Sequence, residues 1–188
     1  MRTDNLVQVA NSTQGGTFSL IQSECEAPAQ FDPKAKTAVL MVNGCNGLGL
    51  HSLFAIIRLF GGIFKNFIFL EVGIIDAGNF KGADEVQHLE SHVKEGLEKY
   101  VQFMHRHGYY AEFVHGLSHD PVSGGIKIAP EILERFPQAI FFMGQLVFAE
   151  DTFVTRLFHN NVVFAVQRRL YHMGIPFIIL PVRIKMKT

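Results

Sequence analysis

Residues 37–57 have the sequence TAVLMVNGCNGLGLHSLFAII, and this stretch decides the fold. An unbroken apolar run, Ala38 to Val42, ends at Asn43, and beyond Gly49 the apolar residues recur at the three- and four-residue spacing of a helix. An unbroken apolar run favours a strand that is buried on both faces, as in a parallel sheet. The stretch therefore predicts a buried strand, a glycine turn and a helix.

The turn has chemical interest because it is rich in glycine. Glycine lets another group approach the main chain closely, and the N–H groups at the start of the next helix favour an anion. The spacing G-x-x-G-x-G matches neither the dinucleotide fingerprint nor the P-loop. Two interpretations stay open: a plain strand-to-helix turn, or a phosphate-binding loop made of Asn43, Gly44, Asn46, Gly47 and Gly49.

Composition limits the class of protein. A chain of 188 residues with 48% apolar residues suits one globular domain. The 17 basic and 17 acidic residues cancel, which removes any whole-chain basis for binding nucleic acid. The first residues lack a signal-peptide pattern and no stretch is apolar enough to span a membrane, so we expect a cytoplasmic protein.

The rest of the chain alternates between strand and helix patterns. Residues 1–35 are polar and aperiodic, which predicts a linker or lead segment before a domain of residues 36–188. The further strands are predicted at 66–75, 109–117, 139–143 and 176–184, and the further helices at 83–107, 126–136 and 162–173. A turn is predicted at Asp120-Pro121. This order predicts an α/β fold with one open, Rossmann-like parallel sheet of five strands and helices on both faces.

Ligands of such sheets bind at the carboxyl ends of the strands, where several polar residues of this chain are predicted to lie. Asp76 follows the second strand, where it serves either as a ribose acceptor or as a turn aspartate. His159, Asn160 and Asn161 precede the last helix, either as an anion site or as an ordinary N-cap. Gly144 follows the fourth predicted strand.

Catalytic patterns are not evident. The chain has no G-x-S-x-G motif, and no base can be placed beside Cys45 from the sequence. His88 and His92 have helical metal-ligand spacing but lack the H-E-x-x-H pattern. We therefore predict a non-enzymatic protein without a metal site.

The order of segments resembles the universal stress protein family, whose members have five parallel strands and four helices. In that family a loop after the fourth strand, with the pattern glycine, two residues, glycine, nine residues, glycine and a hydroxyl residue, wraps a nucleotide's phosphates. Gly144 matches its first position. This chain departs from the pattern at Val147, and His159-Asn160 stands where glycine and the hydroxyl residue are expected.

Three long phrases are similar to the soluble carboxyl-terminal domain of bacterial amino-acid permeases of the APC superfamily. They are KTAVLMVNGCNGLGLH from Lys36, FKNFIFLEVGIIDAGNFKG from Phe64 and LFHNNVVFAVQRRL from Leu157. The resemblance implies a regulatory or sensor domain on the cytoplasmic side of the inner membrane, next to a membrane-embedded transporter. It also implies a homodimer.

These resemblances imply a nucleotide or small anion as ligand, with ATP, AMP or a cyclic dinucleotide as candidates. Two alternatives stay open: a structural dimerisation module of the transporter with no ligand, and a stand-alone nucleotide-binding universal stress protein-like protein.

Overall fold

The computed structural model describes residues 29–75, 82–148 and 161–184. The strands are β1 (Lys36–Val42), β2 (Phe64–Ile74), β3 (Tyr110–Ser118), β4 (Ala139–Phe148) and β5 (Phe177–Ile184). The helices are α1 (Gly47–Phe60), α2 (Ala83–Arg106), α3 (Pro121–Arg135) and α4 (Asn161–His172). Most of the predicted lead segment, residues 1–28, lies outside the described residues.

The five strands form one sheet in the order β3-β2-β1-β4-β5, and every neighbouring pair is parallel. The chain builds outward from β1 to β3 and then returns to place β4 on the other side of β1. Strand order therefore reverses between β1 and β4. The predicted five-stranded α/β fold is confirmed.

Each face of the sheet packs against helices. Alternate strand residues such as Leu40 and Phe69 pack with Leu53 of α1 and Leu97 of α2. Residues of the opposite face pack with the other pair of helices, in a cluster that includes Val39, Ile68, Ile132 and Val166. No helix in the described ranges is long and apolar enough to cross a membrane.

Two predicted boundaries were wrong. The segment predicted as a turn at Asp120 is the start of α3, because the Asp120 carboxylate accepts hydrogen bonds from the Val122 and Ser123 N–H groups at 3.4 and 2.8 Å. Pro121 occupies the first helical position, where its missing N–H costs nothing, and the helix continues through Pro130. Strand β4 also continues past the predicted end at residue 143 and runs to Phe148.

Asn66, near the amino-terminal end of β2, is 1% exposed and joins this strand to the segment before β1. Its side-chain amide donates to the Asp32 carbonyl at 2.8 Å and to Thr37 Oγ1 at 3.2 Å, and its oxygen accepts from Asp32 N–H. This anchor lies at the end of the sheet opposite the carboxyl-terminal edge.

Candidate ligand-binding cavity

A cavity of about 320 Å³ lies at the carboxyl edge of the sheet, where strand order reverses between β1 and β4. The polar residues on its wall are Asn43, Asn46, Ser52 and Gln145. Its apolar wall comes from strands β1, β2 and β4 and from three helices, through Met41, Val42, Leu48, Leu70, Val72, Ile74, Pro121, Met143, Leu146, Val162, Val163 and Val166. Among the described lining residues none is charged, so the cavity favours an apolar ring or chain with a few hydrogen-bonding atoms.

Asn46 holds the start of α1. Its side-chain oxygen accepts a hydrogen bond from Gly49 N–H at 3.1 Å, and its amide donates to the Asn43 carbonyl at 2.6 Å. The side chain of Asn46 is thus the N-cap of the helix, although it also lines the cavity. The exposed side chain of Asn43 stands at the same wall.

Two glycines of the site are required by close packing. A Cβ on Gly49 would lie 2.0 Å from the Tyr100 hydroxyl oxygen, and a Cβ on Gly144 would lie 2.0 Å from Ser52 Oγ. Real atoms do not approach so closely, so any larger residue at either position must displace its neighbour. These contacts fix α1 against α2 on one side and against β4 on the other.

Hydrogen bonds with Glu71 of β2 and Tyr100 of α2 stabilise the glycine turn. Gly44 N–H donates to Glu71 Oε1 at 2.9 Å, and the Tyr100 hydroxyl donates to the Gly44 carbonyl at 3.2 Å. Burial raises the pKa of the Glu71 carboxyl, although the Gly44 hydrogen bond and His92 act in the other direction. Burial also raises the pKa of the Tyr100 phenol and of the Cys45 thiol, so both stay protonated at neutral pH.

The residues predicted as ligand-binding fall into three groups. Asn43, Asn46, Gly49 and Gly144 line the cavity. Gly44 and Gly47 lie in the turn and the first position of α1 without lining it. Asp76, His159 and Asn160 lie outside the described residues, and Asn161 is described only as the first residue of α4.

Glu71 and the wall that α4 supplies were not among the residues predicted from the sequence. The available signal for Glu71 was a single carboxylate within the apolar run of β2. Its backbone register neighbours are Val42 and His115, so its strand lies at the centre of this half of the sheet. The wall from Val162 to Val166 carries no comparable signal, because apolar residues at helical spacing also describe an ordinary core face.

An open parallel sheet with a cavity at its reversal point defines the class of α/β ligand-binding folds. No protein-family model and no curated protein matches this chain. Among solved structures, the chain is similar to a universal stress family protein from Burkholderia pseudomallei, at 14% identity, over 78% of this chain and 96% of that protein, with a TM-score of 0.53. A universal stress protein solved in complex with cAMP has 16% identity over 80% of this chain and 98% of that one, with a TM-score of 0.51. The chain therefore has the universal stress protein fold.

Proposed function

We propose that this domain is a non-enzymatic sensor that binds a nucleotide in the cavity between β1 and β4. The observation that carries the proposal is the position of the cavity, at the reversal point of the strand order and beside the first turn of α1. The universal stress protein that was solved with cAMP supports the choice of ligand class. ATP, AMP and cyclic dinucleotides remain candidates beside cAMP.

Different described residues suit the base or sugar, the polar atoms and the phosphate of a nucleotide. The apolar side chains of Leu70, Val72 and Val163 suit a base or sugar ring, whose burial provides most of the binding free energy. Asn43 supplies amide hydrogen bonds at the wall. The start of α1 favours a phosphate, because its N–H groups and helix dipole stabilise negative charge.

The proposed setting is the cytoplasmic side of a bacterial amino-acid permease, and it rests on the three phrases described above. In this setting the domain acts on the transporter only if the ligand-bound and ligand-free domains stabilise different transporter states. A homodimer is part of the same proposal.

The test is a titration of the purified domain with ATP, AMP, cAMP and a cyclic dinucleotide, followed by calorimetry and by thermal unfolding. A ligand at about 100 times its dissociation constant should stabilise the fold by roughly 2.7 kcal/mol. Val162→Trp adds bulk at the cavity wall at a side chain that is only half-exposed, and it should weaken binding. Phe164→Trp is the matched control, because Phe164 is similarly exposed on the same helix but lies outside the cavity. Failure of all four ligands to bind, or equal weakening by both variants, would refute the proposal.

A structural dimerisation module is the second candidate, and the exposed apolar residues beside the edge strand β5 favour it. Tyr171 is 76% exposed and Met173 is 45% exposed at the end of α4. Sedimentation of the wild-type domain and of Tyr171→Asp tests dimerisation through these residues, and the ligand titration separates this candidate from the sensor, because only the sensor binds a nucleotide. A dimer that the substitution dissociates supports it, whereas a monomer at all concentrations excludes it.

A further inference from the structure

Glu71 is a buried carboxyl whose two oxygens have different surroundings. The residue is 6% exposed, and its Oε1 accepts the Gly44 N–H hydrogen bond at 2.9 Å. Its Oε2 is also buried, and within the described part of the chain it has no hydrogen-bond partner. Burying an ionised oxygen without a hydrogen-bond partner costs free energy, so the surroundings of Glu71 oppose its ionisation. The ionised form is nevertheless the one that makes the stronger hydrogen bond to Gly44 N–H.

Gly44 makes two hydrogen bonds, one through its N–H group and one through its carbonyl oxygen. The Glu71 carboxylate takes the N–H, and the Tyr100 hydroxyl supplies the carbonyl with a donor. Tyr100 itself is fixed by stacking on Phe69, with ring centroids 4.8 Å apart and planes 17° from parallel. Since Tyr100 keeps its proton, Glu71 is the partner of this turn whose hydrogen-bonding strength changes with protonation.

We propose that Glu71 is a positioning residue for the glycine turn, and that its ionisation sets how tightly residues 43–46 are held. This inference deepens the proposed function, because it assigns a proton-dependent control to the same cavity. Ionised Glu71 gives Gly44 a charge-assisted hydrogen bond, which is roughly twice as strong as a neutral one. A held turn presents Asn43 and the start of α1 in one geometry and lowers the entropy cost of binding.

Other charged and titratable groups surround this carboxyl. From the turn, Cys45 is adjacent, and its thiol pKa is raised by burial. From β3, the register neighbour His115 is engaged by Glu90 at 3.1 Å, and Glu90 also binds Lys94 at 2.6 Å. Helix α2 supplies His92 and Tyr100, and its Lys99 acts on the Cys45 thiol. Of these groups, exposed His92 is the one whose charge favours ionised Glu71 and whose removal leaves the core intact.

The sign of the pH effect follows from the raised pKa. The folded protein keeps its Glu71 proton above pH 4.5, the usual value for the group, so Glu71 makes folding less favourable as pH rises from 4.5 through the folded-state pKa. Over the same interval the hydrogen bond to Gly44 becomes stronger. As pH rises through this interval, the contribution of Glu71 to the free energy of unfolding therefore falls while the hydrogen bond between Glu71 and Gly44 becomes stronger.

The test that needs no ligand is an NMR titration of the Gly44 amide. In the wild-type domain its chemical shift should titrate with a midpoint above 4.5, and its exchange protection should rise about fivefold across the midpoint. Glu71→Gln should abolish the titration. His92→Gln should raise the midpoint, whereas His88→Gln, one turn earlier on the same exposed face, should leave it unchanged.

A Gly44 amide that does not titrate, or that titrates equally in Glu71→Gln, would overturn the proposal. If Glu71→Gln does not fold, the comparison of His92→Gln with His88→Gln decides the question, because both side chains are exposed. Equal midpoints in these two variants would also overturn it.

The second arm measures cAMP affinity across the same midpoint, since the charge of its phosphodiester is constant there. The dissociation constant should fall about fivefold as Glu71 ionises and should be independent of pH in Glu71→Gln. A constant affinity beside a titrating Gly44 would overturn the control of binding. If cAMP does not bind at any pH while Gly44 titrates, cAMP is excluded as the ligand and Glu71's control of the turn is supported; the nucleotide proposal fails only if ATP, AMP and a cyclic dinucleotide also do not bind.

Discussion

Replacing Gly49 by alanine tests how the first turn of α1 is packed. The new Cβ would lie 2.0 Å from the Tyr100 hydroxyl oxygen and 3.0 Å from Cζ of the same ring. Tyr100 is 1% exposed and stacked on Phe69, so its ring has no solvent to move into. We expect the hydroxyl to shift and its hydrogen bond to the Gly44 carbonyl to break.

The cost follows from three contributions. Overpacking in a dense core costs about 1–3 kcal/mol, and loss of the hydrogen bond adds about 0.5–1.5 kcal/mol. Alanine returns up to about 1 kcal/mol through its better helix propensity. The sum predicts that Gly49→Ala lowers the free energy of unfolding by about 2 kcal/mol. For a domain of this size the melting temperature should fall by about 4–8 °C.

The assay is urea unfolding of Gly49→Ala, Gly47→Ala, Tyr100→Phe and the double variant of Gly49→Ala and Tyr100→Phe. Gly47→Ala is the control on the same helix, because no atom lies within 4 Å of a Cβ at that position, and it should be neutral or slightly stabilising. In a Tyr100→Phe background Gly49→Ala should cost about 1 kcal/mol less, since the clashing oxygen is gone. Equal stability of Gly49→Ala and Gly47→Ala would refute the packing account.

The remaining predictions concern three polar side chains. Asn46→Ala should lower the free energy of urea unfolding by about 1 kcal/mol through loss of the α1 cap, and Asn46→Asp should recover most of it; no loss with alanine contradicts the cap. Asn66→Ala should cost about 2–3 kcal/mol in thermal unfolding because it breaks the buried anchor to Asp32, and a loss below about 1 kcal/mol would contradict that role. Burial lowers the pKa of His51, so the folded state favours the neutral ring and stability is lost as pH falls through 6.5 towards the lower folded value. Unfolding measured on either side of pH 6.5 should show this loss in the wild type and a smaller one in His51→Gln; identical pH profiles contradict it.

The fold was predictable because its central strands carry a strong local signal. The apolar run from Ala38 to Val42 could be placed only where both faces are buried, and β1 does lie between β2 and β4. The start of α3 was missed because Gly124 and Gly125 have poor helix propensity, and both are buried in the structure. The Asp120 cap and tertiary packing outweigh that propensity.

The end of β4 was missed for a different reason. Gly144 was interpreted as a strand terminator, but it lies within the strand, where Ser52 approaches so closely that no side chain fits. From the sequence alone, a glycine that ends a strand cannot be told from a glycine inside a strand that lets a helix pack closely against it. Only the position of α1 over β4 separates the two cases.

Asn43 and Asn46 illustrate the same limit at the site. Both residues are exposed asparagines of one turn and both line the cavity. The capping geometry separates them, because Asn46 has the extended backbone of an N-cap and its side chain bonds two groups of the turn. Asn43 contributes its carbonyl to that network and keeps its side chain at the cavity wall.

The contact between Ser52 and Gly144 also decides which element sets the size of the cavity. Ser52 Oγ donates to the Leu48 carbonyl at 2.7 Å, so the serine is held in place by its own helix, and the absent side chain of Gly144 lets α1 pack flush against β4. Ser52 and Gly144 form the cavity wall on that side. The cavity volume therefore extends towards Val162, Val163 and Val166 on α4, where one wall residue is 41% exposed and free of such constraints. Substitutions at Val162 should change the size of ligand that the proposed site accepts in calorimetry, whereas substitutions at Gly144 should act first on the packing of α1.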